Sequence, residues 1–129
     1  MSLAAVRLGL KDALGTVSGL NVTGVDLNPP DPCAMVGFPD ELDPRAVLGP
    51  GTDYRIDVSL FVGLSDAAVA DDKLAVLVDE VLAALDADPT LGGACSSMTP
   101  VRVGDFGRAP LGDGGTDALA CNVTVEVMT

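Results

Sequence analysis

Carboxylate pairs are the residues of this chain whose type and spacing come closest to a chemical function. Asp71-Asp72 and Asp79-Glu80 recur along one stretch, and Asp86-Ala-Asp88 is a short Asp-x-Asp. Two carboxylates flanking a substrate can divide general acid and general base work. Such sites also need a cleft, typically with aromatic platforms, and the chain has one Tyr, three Phe and no Trp. Asp86 and Asp88 lack the third acid, the glycine and the distal Glu of a calcium loop, so they read as acids at a helix end. Gly112-Asp-Gly-Gly115 has the glycines of a phosphate cradle, but no Lys follows and no helix begins there, so it reads as a hairpin tip. Nucleophilic catalysis by Ser or Cys normally draws on a nearby His. The chain has no His, which leaves Lys11 and Lys73, both on helical patterns where a solvated lysine is ordinary. The expectation is no enzyme, no metal ligand set and no cofactor; a minimal carboxylate hydrolase would have to rest on Asp71, Asp72, Asp79 or Glu80.

The balance of charge narrows the partners. Lys and Arg total 7 against 19 Asp and Glu, a formal charge of −12 across 129 residues. Phosphate contacts need Lys and Arg, so a basic patch for DNA or an anionic membrane is not expected. An acid excess suits solubility, a basic protein partner, or a surface that nucleic acid passes without sticking. Cys33, Cys95 and Cys121 are an odd number with no Cys-x-x-Cys, and Cys121 falls on the apolar face of a strand pattern, as a buried thiol does. Charges at Arg7, Lys11 and Asp12 interrupt the apolar pattern of the first fourteen residues, which is therefore expected to be neither signal peptide nor membrane span. The chain reads as a soluble protein made in a reducing compartment.

The elements that must position these residues follow from periodicity. Leu3, Val6, Leu10, Ala13 and Leu14 recur at helical spacing, with Ser2 as cap and Gly15 as stop. Leu20–Leu27 and Cys33–Phe38 read as short strands around the proline-rich Asn28–Pro32. Asp40–Thr52 reads as a long loop, of the kind that is often functional or an assembly contact. Tyr54–Leu64 alternates cleanly: Tyr54, Ile56, Val58, Leu60 and Val62 on one face, Arg55, Asp57, Ser59 and Phe61 on the other. The capped amphipathic helix Asp66–Leu85 gathers Leu74, Leu77, Val78, Val81, Leu82 and Leu85 on one side and its acids opposite, with Val76 on the charged side. Ser97–Val103 is expected to be a strand, Gly104–Thr116 a flexible connector, and Ala118–Met128 a final strand with Leu119, Cys121, Val123, Val125 and Val127 inward. The sum is one α+β domain over residues 1–129, a mixed or antiparallel sheet of four to five strands with two main helices on one face.

Several stretches resemble the tail-terminator (tail-completion) proteins of long-tailed actinobacterial bacteriophages. They are DYRIDVSLFVGLSD (Asp53–Asp66), the helix to Leu85, ALDADPTLGGACSSMTPVRV (Ala84–Val103) and ALACNVTVEVMT (Ala118–Thr129), with NPPDPCAMVGFP (Asn28–Pro39) similar to a proline-rich early segment. The resemblance implies a virion structural protein of a siphophage neck, made in the host cytoplasm. It further implies a homo-oligomer, a hexameric ring that caps the completed tail tube, stops its polymerisation and performs head–tail joining. Its partners would be the tail-tube protein and the head–tail connector or stopper, with DNA only passing through the lumen and no membrane contact. On that footing Arg45, Arg55, Arg102 and Arg108, as scarce cations, are candidates for subunit–subunit ion pairs. Asp40, Glu41, Asp43, Asp105 and Asp113 are candidates for acids facing the lumen.

Other readings stay open: a head-completion adaptor or stopper, another tail component such as a tube subunit, or a small-molecule-binding α+β module. Under the ring reading, exchanging the charge at Arg55 or Arg108 should leave the monomer folded and weaken ring formation. Sedimentation velocity measures this, and unchanged assembly would reject the assignment.

Overall fold

The computed structural model describes residues 3–24, 31–42, 44, 53–64, 67–111 and 116–128, the side chains of 67, 111 and 116 excepted. Helix α1 (Leu3–Leu14) leads to strands β1 (Asn21–Thr23), β2 (Cys33–Val36) and β3 (Asp53–Gly63). Helix α2 (Ala67–Asp86) follows, then a 3-10 turn (Leu91–Gly93) and the hairpin strands β4 (Ser97–Leu111) and β5 (Thr116–Met128). The sheet order is β1-β2-β3-β5-β4, with β1 and β2 parallel and every other pair antiparallel. This is the expected α+β arrangement, with five strands and both helices packed against the sheet.

The alternation in β3 and β5 decides which face the helices cover. Ile56, Val58 and Leu60 are paired in register with Val125, Val123 and Cys121, and all six are buried. Onto that face α1 sets Val6, Leu10, Ala13 and Leu14, and α2 sets Ala70, Leu74, Leu77, Val81 and Leu85, in one continuous core. The α1 stripe buries as its spacing predicts, except that Leu3 is only half-buried. Val78 and Leu82 sit at the margin of the α2 stripe, half-buried. Cys33, Cys95 and Cys121 are all buried. Burial pushes the Cys121 thiol up to about 11 and the Tyr54 hydroxyl up to about 12. The Tyr54 hydroxyl has no hydrogen-bond partner among the described residues.

The structure corrects the reading of the second hairpin. Gly104–Thr116 was expected to be a flexible connector, but β4 continues to Leu111 and β5 begins at Thr116, paired through Leu111↔Thr116. Glycines weaken a strand pattern without forbidding a strand, and Gly104 and Gly107 here flank a register shift. Of the expected Leu20–Leu27 strand, Asn21–Thr23 is seen as strand and residues 25–27 lie outside the described residues; the expected Cys33–Phe38 strand ends at Val36. The proposed caps Ser2 and Asp66 lie outside the described residues.

Two close approaches tie α1 to the rest. The Arg7 guanidinium donates from Nε to the Gly37 carbonyl (3.0 Å) and from Nη2 to the Val36 carbonyl (2.7 Å), and lies 3.9 Å from the centre of the Phe38 ring. These bonds use carbonyls at the end of β2, so a charged side chain on the helix flank clips helix to sheet. At Gly9 the 3-10 turn comes so near that an added Cβ would stand 2.8 Å from Leu91 Cβ and 2.9 Å from its carbonyl oxygen. Alanine in a helix interior is ordinarily better than glycine by about 1 kcal/mol. Overpacking costs about 1–3 kcal/mol, so Gly9→Ala should lower stability by up to about 2 kcal/mol net of that gain. Thermal or urea unfolding decides the sign, and a raised midpoint would show that Leu91 is not held against the helix.

Candidate functional site

The face of the sheet turned away from the helices carries the functional candidates. Arg55 and Asp57 are exposed there, and Ser59 and Phe61 partly so. Because β3, β5 and β4 are adjacent, the outward side chains form a cross-strand polar lattice that follows the register. Arg55 donates from Nε and Nη2 to Glu126 Oε2, each at 3.3 Å, from a directly opposed position. Thr124 Oγ1 donates to Asp57 Oδ1 at 2.6 Å, and Ser59 Oγ donates to Asn122 Oδ1 at 2.8 Å. Asn122 passes the connection on, donating from Nδ2 to Asp105 Oδ2 at 3.2 Å. Arg102 closes it with two 3.4 Å contacts to the same carboxylate.

Asp105 reaches this lattice because the backbone bulges. Register slips between Gly104 and Gly107, and Asp105 has φ 58°, a left-handed conformation that Asp tolerates better than most residues. A Cβ at Gly104 would meet the Arg102 guanidinium at 2.6 Å, so the glycine lets Arg102 fold back across the strand. The hydrogen bond from Arg102, then that from Asn122, holds the Asp105 carboxyl below the usual carboxylate range. The same pairing raises Arg102.

Phe38, Asp40, Arg55, Asp57, Arg102 and Thr124 surround a recess of about 250 Å³ on this face. The structure therefore brings together Arg55, Arg102 and Asp40 from the sequence candidates, with Asp105 bonded to Arg102 beside them. Glu41 is exposed next to Asp40. Arg108 stands apart and pairs with Asp117 at 3.1 Å, near Leu64, Ala68, Asp71 and Leu119 at the start of α2. Arg45, Asp43 and Asp113 lie outside the described residues. Each described candidate arginine already has an acid in its own chain, so a partner's acid would have to exchange with Glu126, Asp105 or Asp117. Exposed pairs of this kind are generally weak and exchange readily.

Sequence reasoning did not single out Asp57, Ser59, Asn122, Thr124 and Glu126 as a set. Their outward parity was readable, whereas which outward residue meets which depends on register. The acids of α2, Asp71, Asp72, Asp79 and Glu80, all point to solvent. No group of three or more His, Cys, Asp or Glu is placed to hold a metal ion among the described residues. No helix among them is long and apolar enough to cross a membrane.

No family model matches the chain, and no curated protein is similar to it. Chains of solved structures do match in fold. One superposes at a TM-score of 0.57 with 16% identity, covering 100% of this chain and 97% of its own length; its name describes no activity. At that identity the likeness shows the fold alone.

The lattice predicts an acid response. A carboxyl held below its ordinary value contributes stability that is present above the unfolded value, near 3.8, and is lost as pH falls through the lower folded value. Carboxyl NMR titration should place Asp105 below ordinary aspartates, and Arg102→Gln should move it back up. An unmoved Asp105 in that variant would remove Arg102 as the cause.

Proposed function

We propose that this chain is a ring-forming virion subunit of the tail-terminator type. As a ring it caps the completed tail tube, stops further polymerisation and offers the head or neck a docking face. One observation supports this most: among the described residues the longest strand is unpaired along one side. β4 runs 15 residues as the edge of the sheet, with β5 its one strand neighbour among the described residues, and the polar lattice lies beside it. An exposed edge of that length invites association unless it is blunted. Pro100, Pro110 and two register shifts interrupt the edge, which discourages simple strand addition while leaving side chains to make the contact. The acid-rich composition fits a channel wall along which DNA slides without adsorbing.

Electron microscopy of the native particle, with and without this gene, tests the reading. Overlong tails of variable length that fail to join heads are expected when the gene is removed. Normal tails with leaking heads would reassign the chain to a head-side stopper, and unchanged particles would overturn an assembly role.

A further inference from the structure

The aromatic residues of this chain are few, three Phe and one Tyr, and two of those rings sit on the surface. Phe38 is 58% exposed under Arg7, but Phe106 is 61% exposed within the β4 bulge, and among the described residues no ring or cation contact to it is seen. An exposed ring on a sheet edge costs solubility unless a partner buries it. A receptor of matching chemistry lies at the other side of the same sheet. Between α2 and the turn entering β1 there is a recess of about 480 Å³ with Leu20, Val62, Val76 and Leu77 among its walls. An apolar cavity of roughly 150 Å³ is enough to take up benzene, so a phenylalanine ring fits with room to spare. Val76, 54% exposed on the otherwise charged side of α2, forms part of this wall.

Charge agrees with shape. Asp72 and Glu80 stand at the recess, with Lys73 as the cation there. Two residues beyond Phe106, Arg108 is paired with Asp117 in a contact whose side chains are 68% and 58% exposed, so its guanidinium can exchange one carboxylate for another. We propose that Phe106 of one copy seats in the α2 recess of a second copy of this chain, with Arg108 meeting Asp72 or Glu80 at the rim. Ring and recess lie toward opposite edges of the sheet, β4 and β1. The contact is therefore head to tail, and a head-to-tail contact that closes makes a ring. This names the subunit contact of the ring reading and rests on it.

Two single variants, Phe106→Cys and Val76→Cys, test the contact by mixing and mild oxidation of the purified full chain. The native thiols are all buried, so they compete little. A mixed disulfide that forms in the mixture and in neither variant alone is expected. Phe106→Ala, with an unchanged melting profile, should weaken self-association roughly thirtyfold or more, as loss of a buried aromatic anchor does. Arg108→Glu should weaken it too, and Glu80→Arg in the neighbouring copy should restore it. No mixed disulfide, a Phe106→Cys homodimer in its place, or oligomers indifferent to Phe106→Ala would overturn the contact. The ring reading itself stands or falls separately, on tail length in particles lacking the gene.

Discussion

Everything in this molecule hangs on one in-register apolar row between two central strands. Ile56, Val58 and Leu60 oppose Val125, Val123 and Cys121, all of them fully or almost fully buried. With so few aromatic rings, the core gains its stability from many small aliphatic contacts, each worth roughly 1.5–3 kcal/mol on full burial of a Val or Leu side chain. A one-residue slip in that pairing would turn every buried side chain to solvent. The register is therefore held tightly, and the outward lattice is held with it. Arg55 meets Glu126, and Asp57 meets Thr124, because the inward residues leave them no other alignment.

That coupling explains why the open face is ordered. Arg55 pairs with Glu126, Arg102 with Asp105, and Ser59 donates to Asn122. The apolar contact potential lies elsewhere, at the β4 edge and along α2, where Phe106, Val69 and Val76 remain exposed.

Local sequence exposed some features and concealed others for physical reasons. The alternation of Tyr54–Val62 and the helical stripe of Leu74–Leu85 were legible because burial on one face leaves a period in the chain. The length of β4 was concealed, since Gly104, Gly107 and Pro110 have turn-forming propensities that pairing with β5 overrides. The role of Asp105 was concealed with it, although paired glycines inside a strand are the signal of a bulge. In the sequence Arg7 is only a charge that interrupts an apolar pattern; the end of β2 arriving beneath α1 makes it a clip. Helical spacing says nothing of Gly9, and it is the approach of Leu91 that leaves no room for a side chain there.

By itself the sequence determined the class of fold, the two faces of β3, β5 and α2, and the burial of the Cys121 thiol, because each follows from periodicity along one segment. Only the tertiary structure decided which strands are neighbours, which arginine meets which acid, and that Phe106 and the α2 recess lie toward opposite edges of one sheet. Those facts join residues far apart in the chain. They depend on register and strand order, which local periodicity does not encode.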